Sequence, residues 1–552
     1  MLDFTKHVST RLRRLFTPQD EPIPGTTQLP NSAGGYAWAI DKWARLDRFL
    51  ILGTEGGTYY IAERELTKEN ACAVRECIAE DGARVVRRVV EISASGRAPK
   101  NDPALFVLAM AAGLGDDATR AAALAALPDV ARTGTHLFHW LQFVKAFRGW
   151  GRGVRNAVAR WYTAKSPDDL AYQILKYQAR DGWAHRDALR LAHPKAQSYE
   201  HDVLFRFATK GWEAIAGSNA LRTEIGGRLE TVQAIRHMTP AEAARAISIY
   251  RLTREMVPTE LLTHSVVWDA LLERMPLTAL VRNLGVMSKV GLLVPASDAM
   301  RTIVARLGDR EALRRARIHP LAVLAALKTY AQGRGMKGQG TWSPVPQVVD
   351  ALDGAFYLSF ENAPSTGKRI MLALDVSGSM GGPVHGMPYL TCREASAAMA
   401  LVTAAVEPNH RMVAFTKGTY PSMWSATHGA RFNTGLSPLA ISPRQRLDDV
   451  VQSITDIPFG GTDCALPMVE ALKHRWPIDT FVVYTDNETW AGNIHPAQAL
   501  GEYRERLGIA AKLVVVAMAS NGFTIADPND AGMLDVVGFD TATPNVISDF
   551  IG

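Results

Sequence analysis

Up to about residue 330 the apolar residues of this chain recur at helical spacing, whereas beyond Gly333 they gather into short β-rich runs separated by helical stretches. That change of period constrains the fold most. A 3.6-residue repeat buries one face of a helix, and a short unbroken apolar run suits a strand covered on both faces. In the first part, breaks at Gly, Pro or Asp-rich turns leave amphipathic segments at 70–92, 103–114, 118–127, 135–147, 153–164, 167–179, 199–216, 240–250, 265–273 and 320–330. Pro167 follows Ser166 and Pro240 follows Thr239, the cap-then-proline order that opens helices. Spacing of roughly 40 residues per helix pair predicts an all-α, HEAT-like solenoid, without a strict repeat consensus. The glycine- and proline-rich run GRGMKGQGTWSPVP after Tyr330 is the linker candidate. Beyond it, apolar runs at 369–376, 412–416, 480–486 and 512–519 alternate with helical stretches at 393–406, 466–473 and 496–507. Such alternation predicts a multidomain chain ending in an α/β doubly wound parallel sheet, whose ligands sit at the carboxyl ends of its strands.

At 552 residues the chain exceeds a single hydrophobic core. Its charge is split: residues 1–340 carry 48 Lys and Arg against 34 Asp and Glu, a balance of +14, while residues 341–552 carry 13 against 21, a balance of −8. A polyanion-binding module beside a cation-binding one would show this asymmetry, although dispersed solubilising charge explains it equally well. The N-terminus MLDFTKHVSTRLRRLF lacks the apolar core of an export signal, and the longest apolar run, 105–114, has half the length of a membrane span. The four cysteines, Cys72, Cys77, Cys392 and Cys464, show no CxxC spacing. The expectation is a cytoplasmic protein with no membrane partner.

Directly after the first predicted strand stands Asp375-Val376-Ser377-Gly378-Ser379. A carboxylate and two hydroxyls on a tight turn at the carboxyl edge of a sheet are hard oxygen ligands of the kind Mg²⁺ accepts. Thr462 of GGTD and Asp486 of YTDNE supply two further oxygens from later strand-end loops. The alternative is an ordinary turn in which Asp and Ser satisfy backbone groups. Together the five residues resemble the metal-ion-dependent adhesion site of von Willebrand factor A domains, a resemblance that implies a divalent cation, Mg²⁺ first. Enzymatic signals are weak. PSTGKR at 364–369 lacks the first glycine of a phosphate loop, there is no HExxH, and no nucleophile–base set can be nominated from spacing.

Residues 132–195 hold the densest mixture of basic and aromatic side chains. Cations neutralise phosphates and aromatic faces stack on unpaired bases, so the mixture suits RNA. Trp140, Trp150, Trp161 and Trp183 read first as core anchors. Lys176 and Arg180, four apart, are expected on one helix face, where they could grip one phosphate segment or be a chance pair. His193, near a helix end, could donate to phosphate or cap carbonyls.

Residues 32–71, SAGGYAWAIDKWARLDRFLILGTEGGTYYIAERELTKENA, resemble the start of the TROVE module of Ro ribonucleoproteins. The likeness continues through THLFHWLQF, KYQARDGWAHRDALRLAH, MPLTALVRNLG, RIHPLAVLAAL, DVSGSM, GGTDCALPM, YTDNETWAGNIHPAQAL and SNGFTIADPNDAGMLDVVGFD, in order, to the carboxyl terminus. The resemblance implies an N-terminal segment 1–29, a TROVE module 30–340 whose helices close into a ring, a linker 341–366 and an A domain 367–552 joining the ring's ends. It further implies a monomer that binds a small noncoding Y-like RNA on the outer basic face and single-stranded 3′ ends of misfolded RNA within the ring. Lys176, Arg180 and His193 fall at family positions for Y RNA contact, with Gln142 and Lys145 in the neighbouring helix. Gln178 departs from the lysine of animal relatives, which puts one phosphate contact in doubt. A ring-shaped 3′ exoribonuclease is the protein partner that bacterial relatives suggest. The competing expectation is a metal-dependent protein-interaction scaffold acting through the A domain.

Overall fold

The structure is a computed structural model, and it describes residues 16–53, 71–95, 97, 98, 100–217, 219–316, 318, 320–335, 340–359, 365–384, 387–416, 435–442, 445, 446, 449, 450, 453, 454, 460–518, 522–538 and 543–552. The basic N-terminal stretch up to residue 15 and much of the first TROVE motif, 54–70, lie outside the described residues.

A short antiparallel pair, β1 (Gln28–Pro30) and β2 (Tyr36–Ala39), precedes a helical series running from Lys42–Leu52 to Pro320–Ala331. Local chemistry starts these helices. The hydroxyl of Ser166 accepts from Asp169 N with Pro167 next, and Thr239 forms a reciprocal capping box with Glu242. Consecutive helices bury one shared core that includes Trp140, Trp161 and Trp268. Two expected helices end early. The segment expected at 199–216 stops at Lys210, where Gly211 takes a positive φ of 84°, and that expected at 167–179 stops at Lys176. In place of the second helix's tail comes a tight hairpin, β3 (Ala179–Arg180) and β4 (Trp183–Ala184), turning on Asp181 and Gly182 at φ 52° and 77°. Two successive left-handed residues make a two-residue hairpin loop whose twist matches its strands.

The stretch expected as linker, 341–366, is ordered where it is described and contains the helix Pro346–Leu358. Trp342 anchors it: the indole donates to Tyr330 O at 3.0 Å and stacks on the Tyr330 ring, centroids 6.2 Å apart. Its ring lies so close to Gly285 that a Cβ there would meet it at 2.6 Å.

The carboxyl-terminal part is the expected doubly wound sheet, built from β5 (Ile370–Asp375), β8 (His410–Phe415), β9 (Leu436–Pro438), β10 (Thr480–Thr485), β11 (Lys512–Ala517) and β13 (Met533–Val537), while β6 (Pro383–Val384) and β7 (Met387–Thr391) form a separate antiparallel pair. The order is β13-β11-β10-β5-β8-β9, parallel except for β9. Successive residues face opposite layers. Leu372, Leu374, Val482 and Tyr484 join the core shared with the helical series, while Met371, Ala373, Phe481 and Val483 join a second core with Met468, Leu500 and Tyr503. Burial on both faces explains why these strands read as unbroken apolar runs.

Both ends of the helical series rest on this domain. At the start, β2 pairs with β12 (Phe523–Thr524), and Arg48, only 1% exposed, forms an ion pair with Asp535 on β13 at 2.6 Å. At the end, Lys328 pairs with Glu394, in the first turn of the helix Cys392–Val406. Among the described residues no helix is long and apolar enough to cross a membrane.

Candidate cation site and nucleic-acid interface

β5 and β10 are neighbours in parallel register, so both strands deliver their last residues to the same carboxyl edge. Asp375 ends β5, Asp486 follows β10, and Ser377, Ser379 and Thr462 lie on the loops beside them; all five are buried. The carboxylate of Asp375 is already oriented: it accepts from Ser377 N at 2.8 Å through Oδ1 and from the Thr485 hydroxyl at 2.7 Å through Oδ2. Ser377 Oγ and Ser379 Oγ stand 3.2 Å apart, and Asp486 Oδ1 accepts from Glu488 N at 3.2 Å. Arg393 Nη2 donates to the carbonyls of Val376 and Ser377 at 2.6 and 3.2 Å, fixing the turn from behind. The carbonyl of Thr462 accepts from Trp490 N and Ala491 N, which ties the GGTD loop to the loop after β10.

Burial raises the carboxyls of both Asp375 and Asp486, and for Asp486 the neighbouring charge of Asp375 raises it further. Two buried carboxylates that repel each other, with the hydroxyls of Ser377, Ser379 and Thr485 beside them, form an all-oxygen set that a hard divalent cation suits and relieves. Among the described residues no three His, Cys, Asp or Glu side chains gather as a cage. The nearby thiols are not ligands of choice, since burial pushes Cys392 up to about 12 and raises Cys464 as well. Thr485, which orients Asp375, was not singled out from sequence; its signal was its place immediately before the strand-end aspartate.

The basic residues are arranged differently from the expectation. Lys176 and Arg180 do not share a helix face, because the chain leaves the helix at Tyr177 (φ −111°, ψ 70°) and Arg180 lies in β3. The Asp181-Gly182 dipeptide, a strong hairpin signal, overrode helical spacing. Lys176 is held by aromatics: its ammonium donates to the Tyr172 hydroxyl at 2.6 Å and lies 4.9 and 5.3 Å from the Tyr172 and Tyr177 ring centroids. Arg180 is exposed and lies opposite Trp183 across the hairpin. Trp183 is buried against Trp150, centroids 5.6 Å apart, and its indole donates to Gln142 Oε1 at 3.4 Å. Gln142 and Arg180 therefore flank one indole. Lys145, exposed, stands three residues beyond Gln142 in the helix Gly134–Phe147. His193 is exposed at the left-handed cap (φ 46°) of the helix His185–Ala192, which follows β4 directly. A further clamp escaped sequence reasoning: His139 Nδ1 lies 2.5 Å from Asp181 Oδ2, fastening the turn to the same helix that carries Gln142.

A family model described as the TROVE domain matches residues 29–250 and 243–329, and one described as the Ro60 vWA domain matches residues 369–551. Two relatives named RNA-binding protein RO60 are similar over nearly the whole length. That of Deinococcus radiodurans is 44% identical over 548 residues, 99% of each chain. That of Caenorhabditis elegans is 36% identical over 598 residues, 95% of this chain and 90% of its own. The crystal structure of the Deinococcus radiodurans RO (RSR) protein matches at TM-score 0.69 and 44% identity, covering 93% of this chain and 99% of that one.

Proposed function

This chain belongs to the Ro60 family, and on that premise we propose that it is an RNA-binding protein of RNA quality control or decay. It takes a small noncoding Y-like RNA on its basic helical face and the single-stranded 3′ ends of misfolded RNA within the helical ring. The observation that carries the reading is the exposed Arg180 on the hairpin, seated beside Gln142, with exposed Lys145 and His193 on the two helices that the hairpin touches. Cations and a polar amide around one anchored indole suit phosphates with adjacent unpaired bases. Lys176, steadied by two tyrosines, adds a fifth contact. The excess of +14 over residues 1–340 draws a polyanion to this half and not to the acidic one. The role is binding, and a ring-shaped 3′ exoribonuclease is the partner that would consume the delivered 3′ ends.

In the A domain, Asp375, Ser377, Ser379, Thr462 and Asp486 would hold a divalent cation, Mg²⁺ by the hardness of the set. When bound, the cation supplies a positive charge that a partner protein's carboxylate completes.

The test is crosslinking of RNA to the tagged protein in its own cells, with wild type compared to the Lys176→Ala/Arg180→Ala/His193→Ala variant. A small structured RNA enriched in wild type and depleted in the variant is the expected result. Background RNA in both would sink the RNA reading and leave the scaffold role of the A domain.

A further inference from the structure

Gln19 lies in the N-terminal segment, outside every motif, yet it is 0% exposed and inserted between the two loops that carry Thr462 and Asp486. A glutamine amide has two donor hydrogens and two main acceptor lone pairs. Here Nε2 donates to Asp463 Oδ1 and to Ile494 O, each at 2.8 Å, while Oε1 accepts from Gly492 N at 3.2 Å and from the Thr489 hydroxyl. Every capacity of the side chain is used. Its backbone joins as well: Gln19 N donates to Gly492 O at 2.9 Å, and Gln19 O accepts from Tyr36 N at 2.8 Å.

The rest of residues 17–36 repeats the pattern. Asn31 Nδ2 donates to Thr489 O at 2.7 Å, Ala33 N donates to Glu488 Oε2 at 3.0 Å, and His495 Nε2 meets Glu21 O at 2.8 Å. Two glycines permit the approach. A Cβ on Gly35 would stand 1.9 Å from Thr489 O, and one on Gly492 would stand 2.2 Å from Gln19 Nε2 and 2.4 Å from Asp463 Oδ1. Asp463 adjoins Thr462, and Thr489 follows Asp486 by three residues.

We propose that Gln19 is a positioning residue of the A domain, through which the N-terminal segment clasps the GGTD loop to the loop after β10 and so sets the mutual placement of Thr462 and Asp486. A fully satisfied buried amide fixes the groups it joins more firmly than a packed apolar side chain can, because each displacement strands a buried polar atom. The part that concerns the cation rests on the reading of the site given above.

The experiment uses the full chain with Mn²⁺ as probe, read by electron paramagnetic resonance, together with amide hydrogen exchange of the loops. Gln19→Met keeps the volume and removes all four side-chain bonds; should it fail to fold, Gln19→Glu keeps the shape and loses the two donors. Arg48→Met is the control, since Arg48 fastens the first helix to β12 and β13, strands that carry none of the five candidate ligands. Faster exchange around 463–465 and 489–492 in the Gln19 variant, with Mn²⁺ affinity lower by about tenfold, and neither change in Arg48→Met, is the expected result. Unchanged loop exchange in the Gln19 variant, or equal loosening in Arg48→Met, would overturn the proposal. If wild type takes up no Mn²⁺, the cation reading falls by itself and the loop exchange alone decides the clasp.

Discussion

His185 shows how much one residue commits to a neutral fold. It is buried against the edge of Phe138, ring centroids 4.9 Å apart, with Tyr162 OH 2.8 Å from Nδ1 and Gln173 O 3.2 Å from Nε2. Burial drives its imidazole down from the usual 6.5 to about 4, and His136 is driven to about 4 by burial and the charge of Arg132. Because the folded value is depressed, the unfolded chain binds more protons between about 4 and 6.5. Stability is therefore complete above 6.5 and falls as pH drops through that window, by up to about 3 kcal/mol for each imidazole. Urea unfolding midpoints should decline from pH 7.5 to pH 5, and His185→Gln should reduce that decline; an identical profile in the variant would refute the assignment.

Among the elements, the hairpin β3–β4 decides where Arg180 lies on the proposed RNA face. Helical spacing put Lys176 and Arg180 side by side, but the chain leaves the helix at Tyr177, and Arg180 enters the hairpin that turns on Gly182 at φ 77°. A β-branched residue in that conformation is strained by about 1–3 kcal/mol, so Gly182→Val should open the turn. We expect it to reduce RNA affinity as much as Arg180→Ala does while leaving the global melting transition within a few degrees, since the hairpin is a surface element. Filter binding with both variants checks this, and full affinity in Gly182→Val would show that the hairpin does not present Arg180. The turn signal was present in the sequence as Asp-Gly. It lost to the longer helical pattern because a two-residue device leaves no periodic trace.

At the scale of the whole molecule, the proposed RNA face lies in the basic half and the proposed cation site in the acidic one. Log affinity for RNA should fall linearly with log salt, and each phosphate contact removed should flatten the slope by about 0.7 to 0.9. The triple variant at Lys176, Arg180 and His193 should therefore flatten it by about 2 to 3 units if all three meet phosphate. Asp375→Ala should abolish Mn²⁺ binding and leave RNA affinity within about twofold, because it alters the acidic half alone. Loss of RNA binding in that variant would mean that the two sites are coupled through the joints at the ends of the helical series.

What the sequence determined by itself is whatever short spacing encodes. The strands are unbroken apolar runs because both faces of the sheet are covered, two of the helices open on Ser or Thr before Pro, and Asp375, Ser377 and Ser379 fall together because a turn of five residues brings them together. Thr462 and Asp486 could be placed beside them once a parallel sheet was expected, since its strand ends share one edge. Only the tertiary structure decided the rest. Gln19 meets Asp463 across 444 residues, Trp342 folds the expected linker onto Gly285, and Arg48 and Lys328 fasten the two ends of the helical series to one domain. No local pattern records such contacts, because a buried polar bond between distant segments depends on where the whole chain has brought them.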